Sequence, residues 1–121
     1  QDFAKLIADE LDYVGTMCVE YFLNQDEDLL VNEIAPRVHN SGHLTINAFN
    51  DSQFENHVRA VTELKKEEVK KISNAEMNNI LGEEIQKFRN KSFTGEKFFF
   101  DYGKKEIKEK RKMGHLTILK K

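Results

Sequence analysis

The sequence predicts an α+β fold, on three observations. Phe3, Leu6, Ile7 and Leu11 recur at helical spacing near the start. Two runs rich in strand formers, 16–23 and 29–35, flank a polar turn at 24–28. Beyond a charged connector at 65–71, Phe98-Phe99-Phe100 and the segment from His115 to Leu119 again have strand character.

Taken in order, residues 2–12 form an amphipathic helix that ends before Gly15. The strands 16–23 and 29–35 form a hairpin closed by Asn24-Gln25-Asp26-Glu27-Asp28. Residues 36–50, opened by the only proline, Pro36, are expected to be an irregular loop. Ser52 is the expected N-cap of a helix over 53–64, because Glu55 stands three residues on, the capping-box spacing. A domain boundary is expected at the connector, giving domains 1–64 and 65–121. In the second, an apolar run over 77–81 ends at Gly82, 83–90 is helical, and the two strands flank the basic stretch 104–112.

Composition narrows the function classes. Charged residues make up 33% of the chain, and no apolar run approaches the about 20 residues of a membrane span. A membrane partner is therefore not expected. Cys18 is the only cysteine, which excludes an internal disulfide and a cysteine-rich zinc site and suits a reducing cytoplasm. Charge is uneven: residues 1–60 carry −8 and residues 61–121 carry +6. The first half thus suits a cation and the second an anion, although two ordinary solvated surfaces would look the same. The chain opens on Gln1, inside a helical pattern, which suggests a piece of a longer protein.

Chemistry concentrates in residues 31–43, Val-Asn-Glu-Ile-Ala-Pro-Arg-Val-His-Asn-Ser-Gly-His. A turn centred between Asp26 and Glu27 would place Glu20 directly opposite Glu33, with Cβ atoms about 5 Å apart. Opposed like charges destabilise a hairpin, so a positive group should sit between them, and hard oxygen ligands suit Mg²⁺ beside phosphates. A slipped register, or carboxylates turned to solvent, remains open from spacing alone. Arg37 can grip a planar anion with two parallel hydrogen bonds, and His39 and Asn40 add polar groups close by. His39 and His43 have helical metal-pair spacing, but Asn40-Ser41-Gly42 argues against a helix between them. In the basic stretch, Lys104 and Arg111 with nearby glycines suit a phosphate. A solvated lysine-rich hairpin is the plain alternative. Aromatics are not interleaved with these basic residues, so nucleic acid is not the expected partner.

Six runs, in order, resemble one family. They are Val-Glu-Tyr-Phe (19–22), the run 31–43, Ser-Gln-Phe-Glu-Asn-His-Val-Arg-Ala-Val (52–61), Asn-Asn-Ile-Leu-Gly (78–82), Tyr-Gly-Lys (102–104) and Arg-Lys-Met-Gly-His (111–115). Together they are similar to 5-(carboxyamino)imidazole ribonucleotide synthases, ATP-grasp ligases of purine biosynthesis. The resemblance implies that 1–64 is the C-terminal part of an ATP-grasp domain and that 65–121 is the small β-rich C-terminal domain. It implies ATP-dependent carboxylation of aminoimidazole ribonucleotide by bicarbonate, through carboxyphosphate, in a cytoplasmic homodimer. Glu20 and Glu33 would be ligands of Mg²⁺ or Mn²⁺, and Asn32 and Glu33 would face ATP. Arg37, His39 and Asn40 would form the catalytic pocket for bicarbonate and carboxyphosphate, and Lys104 and Arg111 the clamp on the substrate's phosphate. Many ATP-grasp enzymes carry an asparagine ligand two residues after the second glutamate. Here that position is Ala35, and Lys110 stands where the family often has glycine. The resemblance covers roughly the last third of such an enzyme, so the piece is expected to be inactive alone. The alternatives are another ATP-grasp carboxylase, a formyl-phosphate transferase, or a non-catalytic module that binds a phosphate ligand or nucleic acid.

Overall fold

The computed structural model describes residues 2–65 and 67–120. Gln1, whose position suggested a longer protein, lies outside the described residues, as do Lys66 and Lys121. Helices and small antiparallel sheets make this an α+β chain that divides into two compact units. The first comprises residues 1–43 with 51–69, and the second comprises 44–50 with 70–121. Among the described residues no helix is long and apolar enough to cross a membrane.

In the first unit, α1 (Asp2–Glu10) precedes the hairpin of β1 (Cys18–Leu23) and β2 (Leu29–Ala35). Asn24 shapes the turn. Its Oδ1 accepts the main-chain N–H groups of Asp26 at 2.9 Å and Asp28 at 2.8 Å, while Glu27 takes a left-handed φ of 65°. β2 stops at Pro36, which has no N–H to pair, and a tight turn follows in which Arg37 N–H donates to the Ala35 carbonyl at 2.8 Å. Residues Asn40–Gly42 then make one 3-10 turn, against the expected irregular loop. The His39 side chain caps that turn by accepting the Ser41 N–H, which offsets its glycine and asparagine.

α3 (Gln53–Val61) starts with the complete capping box at Ser52 and Glu55. Donation from Ser52, its main-chain N–H first, holds the Glu55 carboxyl below the usual carboxylate range. Among the described residues of this unit, those buried are Ala35 and the polar run Asp51, Ser52 and Gln53. Its apolar side chains are largely uncovered, with Phe22, Leu23 and Phe3 each at 60% exposure or more.

The second unit has a true apolar core. α2 (Thr45–Ala48), a helix the sequence reading placed in loop, buries Ala48 completely, and the Ala48 carbonyl accepts N–H groups from Ile72 and Ser73. β3 (Asn74–Leu81), β4 (Lys97–Asp101) and β5 (Lys112–Lys120) form an antiparallel sheet in the order β3-β5-β4. α4 (Ile85–Arg89) lies under it. Ile80, Ile85 and Met113 are sealed inside, with Phe88, Phe99, Ile107 and Leu116 packed around them.

Gly114 sits on the central strand where the backbone of β4 comes closest. A Cβ there would run into the carbonyl of Phe100 and meet Ile85 Cδ1 at 3.2 Å. Gly114→Ala should therefore cost about 1–3 kcal/mol through forced backbone shifts, read as a lower denaturant midpoint at unchanged slope.

Candidate functional site

The two glutamates of the hairpin do face each other. The ladder pairs Cys18 with Ala35, Val19 with Ile34 and Glu20 with Glu33. Nearer the turn the register differs: Leu23 pairs with Leu29, Phe22 with Leu30 and Tyr21 with Val31. The turn is thus not centred where the sequence reading put it. A bulge makes up the difference, with Asn32 as the extra residue on β2. Side chains alternate along a strand, so a regular β2 would pair Asn32 with Glu20 and send Glu33 to the opposite face. The bulge brings both carboxylates to one face. Asn32 itself turns to the pair, its Nδ2 donating to Glu20 Oε2 at 3.3 Å.

An imidazole and a guanidinium sit against the pair. His39 Nδ1 lies 3.6 Å from Glu20 Oε1, and its Nε2 lies 3.9 Å from Glu33 Oε1. Arg37 Nη2 lies 3.8 Å from Glu33 Oε1, while its Nη1 donates to the Val38 carbonyl at 3.0 Å. These are loose contacts. They leave the carboxylates unsaturated, with side chains 36% and 48% exposed. Asn40 begins the 3-10 turn directly behind His39.

What aims His39 was missed by the sequence reading. Gln53, 8% exposed, pairs twice with the His39 main chain: the His39 N–H donates to Gln53 Oε1 at 2.9 Å, and Gln53 Nε2 donates to the His39 carbonyl at 2.8 Å. The same Nε2 reaches His43 Nδ1 at 2.7 Å, and the His43 ring stacks on Phe54 at 5.4 Å. His43 is thus committed to the loop's support. Gly42 is required by close approach, since a Cβ there would meet Gln53 Oε1 at 2.5 Å. The one available signal for Gln53 was its place directly after the N-cap Ser52, where a helix begins under the loop.

In the second unit Lys104 and Arg111 belong to one loop. Lys104 Nζ donates to the Lys112 carbonyl at 2.7 Å and lies 5.5 Å from the centre of the Tyr102 ring, so its ammonium rests beside the residue that follows Arg111. Arg111 Nη1 donates to the Glu106 carbonyl at 3.0 Å. Asp101 opens the loop. It takes two hydrogen bonds from Arg89, at 2.6 and 3.2 Å, and one from the Gly103 N–H at 2.8 Å. Arg89 foremost, with help from Gly103, holds the Asp101 carboxyl below the usual carboxylate range. Tyr102 hydroxyl lies 2.8 Å from Nδ1 of the buried His115, whose ring stacks on Phe100 at 4.9 Å.

Family models match both parts of the chain: the ATP-grasp domain over residues 1–54 and the phosphoribosylaminoimidazole carboxylase C-terminal domain over residues 75–121. An N5-carboxyaminoimidazole ribonucleotide synthase of Bacillus subtilis is 46% identical over 120 residues, which is 98% of this chain and 32% of that protein. Along nearly its whole length the chain is similar to N5-carboxyaminoimidazole ribonucleotide synthases. It spans about a third of the length of the curated relatives it matches. Among solved structures, the Staphylococcus aureus N5-carboxyaminoimidazole synthetase complexed with ADP is 39% identical with a TM-score of 0.86, covering 98% of this chain and 33% of that one. The Aspergillus clavatus N5-carboxyaminoimidazole synthase, in complex with ADP and 5-aminoimidazole ribonucleotide, is 34% identical with a TM-score of 0.76, covering 88% and 30%.

Two outcomes test the construction of the site. Gln53→Met should lose about 1–3 kcal/mol, because the His39 N–H and carbonyl lose their partners. Amide exchange at His39 should rise by more than the global loss explains. Asp101 is depressed in the folded chain, so its stabilisation is full above the unfolded value near 3.9. It is lost as pH falls through the lowered folded value. Asp101→Asn should therefore reduce stability at neutral pH and flatten the acid limb of a plot of denaturant midpoint against pH.

Proposed function

We propose that this chain supplies the metal-binding, bicarbonate-binding and substrate-phosphate-binding elements of an ATP-dependent carbon–nitrogen ligase that carboxylates 5-aminoimidazole ribonucleotide. The observation that carries this reading is the opposition of Glu20 and Glu33 on one face of the hairpin, produced by the bulge at Asn32. Building two like charges directly opposite one another costs stability, and the bulge that does so has a use if a cation and a polyphosphate come there. The donor set fits Mg²⁺ or Mn²⁺: exposed carboxylate oxygens, held by one 3.3 Å hydrogen bond from Asn32 and by contacts of 3.6–3.9 Å. Such an ion would offset the charge of the ATP phosphates.

The chain's own residues do the remaining work by position and charge. Glu20 and Glu33 fix the polyphosphate end through the metal, with Asn32 at its side. Arg37 is 62% exposed in its side chain and has N–H groups to spare for a planar anion such as bicarbonate or carboxyphosphate. His39, held by Gln53, fixes the boundary between the metal and anion sides. Lys104 and Arg111 pair with the phosphate of the ribonucleotide. Attack by the substrate's exocyclic amine on the activated carboxyl then needs orientation and charge neutralisation rather than a protein nucleophile. The resemblance to relatives named for this activity, at 40–46% identity over nearly the whole chain, adds its support. A homodimer and the domain limits 1–64 and 65–121 belong to the same proposal.

The test is ATP cleavage by the complete protein that carries this chain, dependent on aminoimidazole ribonucleotide and bicarbonate. Glu20→Gln or Glu33→Gln should abolish it, and formate should not replace bicarbonate. Unchanged turnover in either variant would sink the metal assignment. Turnover with formate, or salt-sensitive nucleic-acid binding without ATP cleavage, would sink the ligase reading.

A further inference from the structure

Cys18 stands two residues before Glu20 on β1, so both side chains leave the same face of the hairpin. Its cross-strand partner is Ala35. Ser41 Oγ links the thiol to the imidazole, lying 3.6 Å from Cys18 Sγ and 2.9 Å from His39 Nδ1. The Ser41 main-chain N–H donates to the same Nδ1 at 3.4 Å. An N–H can only donate, so Nδ1 carries the ring's lone pair on the side where Cys18 and Glu20 stand. The Cys18 sulfur, one His39 nitrogen and one Glu20 oxygen all lie within 4.8 Å of one another.

We propose that Cys18, Glu20 and His39 form a site for a thiophilic divalent ion, of which Zn²⁺ is the biological case and Cd²⁺ the spectroscopic probe. One thiolate, one imidazole and one carboxylate are the donor types zinc takes in three-ligand sites, with a fourth position left to water. Tetrahedral bonds of 2.0–2.3 Å need donor atoms about 3.3–3.7 Å apart. Reaching those separations from the present limit of 4.8 Å requires side-chain rotation. Binding releases the thiol proton to solvent, and thiolate plus carboxylate then cancel the ion's charge. The ligand set differs from the oxygen-only pair proposed for Mg²⁺, because a hard ion gains nothing from sulfur. The two sites share Glu20, so the ions exclude one another there, and zinc acts as a competitor of the magnesium-dependent function. The zinc site does not depend on the ligase reading, since it needs neither ATP nor substrate.

Cd²⁺ titration of the complete protein that carries this chain, followed by thiolate-to-cadmium charge-transfer absorption and compared with Cys18→Ser, tests this directly. The absorption that Cys18→Ser removes should saturate at one ion per protein chain. Loss of even an outer partner of a metal ligand costs about 10–100-fold in affinity. Glu20→Gln and His39→Gln should each weaken binding by at least that much. Cys18→Ser should leave Mg²⁺ affinity unchanged. As a second readout, Zn²⁺ should protect Cys18 from alkylation, and Glu20→Gln should remove the protection. No absorption sensitive to Cys18→Ser, or equal Cd²⁺ affinity in the Glu20 and His39 variants, overturns the site and leaves the ligase reading standing. So does a parallel fall in Mg²⁺ affinity in Cys18→Ser.

Discussion

The carboxamide of Gln53 is paired with the main chain of His39 as a neighbouring strand would be, donor to acceptor and acceptor to donor. Most of the first unit's local order hangs on this contact. A buried amide that satisfies a loop's main-chain groups fixes the backbone of that loop, and a fixed backbone fixes where the imidazole points. The ring meets Glu20 and Glu33 from one side, and Ser41 and Cys18 lie at its edge. Gln53 is in turn held by α3, whose start is set by the Ser52 and Glu55 capping box. The Gln53 carbonyl also takes the Thr16 hydroxyl, just ahead of β1. One helix N-terminus thereby holds both the strand with the first carboxylate and the loop with the histidine.

The two units are stabilised by different means. In the second, apolar side chains carry the load: Ile80, Ile85 and Met113 are sealed between sheet and helix, with the Phe88, Phe93 and Phe99 rings in mutual contact at 5.5–5.9 Å. In the first, what is buried is mostly polar, and a buried polar group is tolerated only when it is hydrogen-bonded. Order there is specified by geometry more than by area. That suits the proposed role, which depends on the angle of a ring and two carboxylates.

Much of this was legible in the sequence, for identifiable reasons. β2 was read with its observed limits, because Leu29 to Ala35 is bounded by a polar turn and a proline. The capping box at Ser52 was read because its spacing is local. The facing glutamates were read correctly although the turn was centred wrongly, since the bulge restores the pairing that the turn displaces. A bulge depends on both strands together and leaves no mark in either alone. α2 was missed because four residues are too few to show a period, and its carbonyl at Ala48 is held by residues distant in sequence. Gln53 was missed because its neighbours are supplied by the fold, and from sequence it read as an ordinary first helical residue.

The bulge also governs which changes of length the hairpin can absorb. Residues 24–28 lie outside the ladder, so an insertion there leaves every pair from Leu23 and Leu29 onward in place. Losing one residue from Leu29 to Asn32, whichever it is, takes up the bulge and leaves a regular ladder with the two carboxylates still opposed. Losing two slides Glu33 opposite Tyr21. Natural length variation in this hairpin should therefore gather at the tip, with the stretch from Leu29 to Asn32 shortened by no more than the one bulged residue.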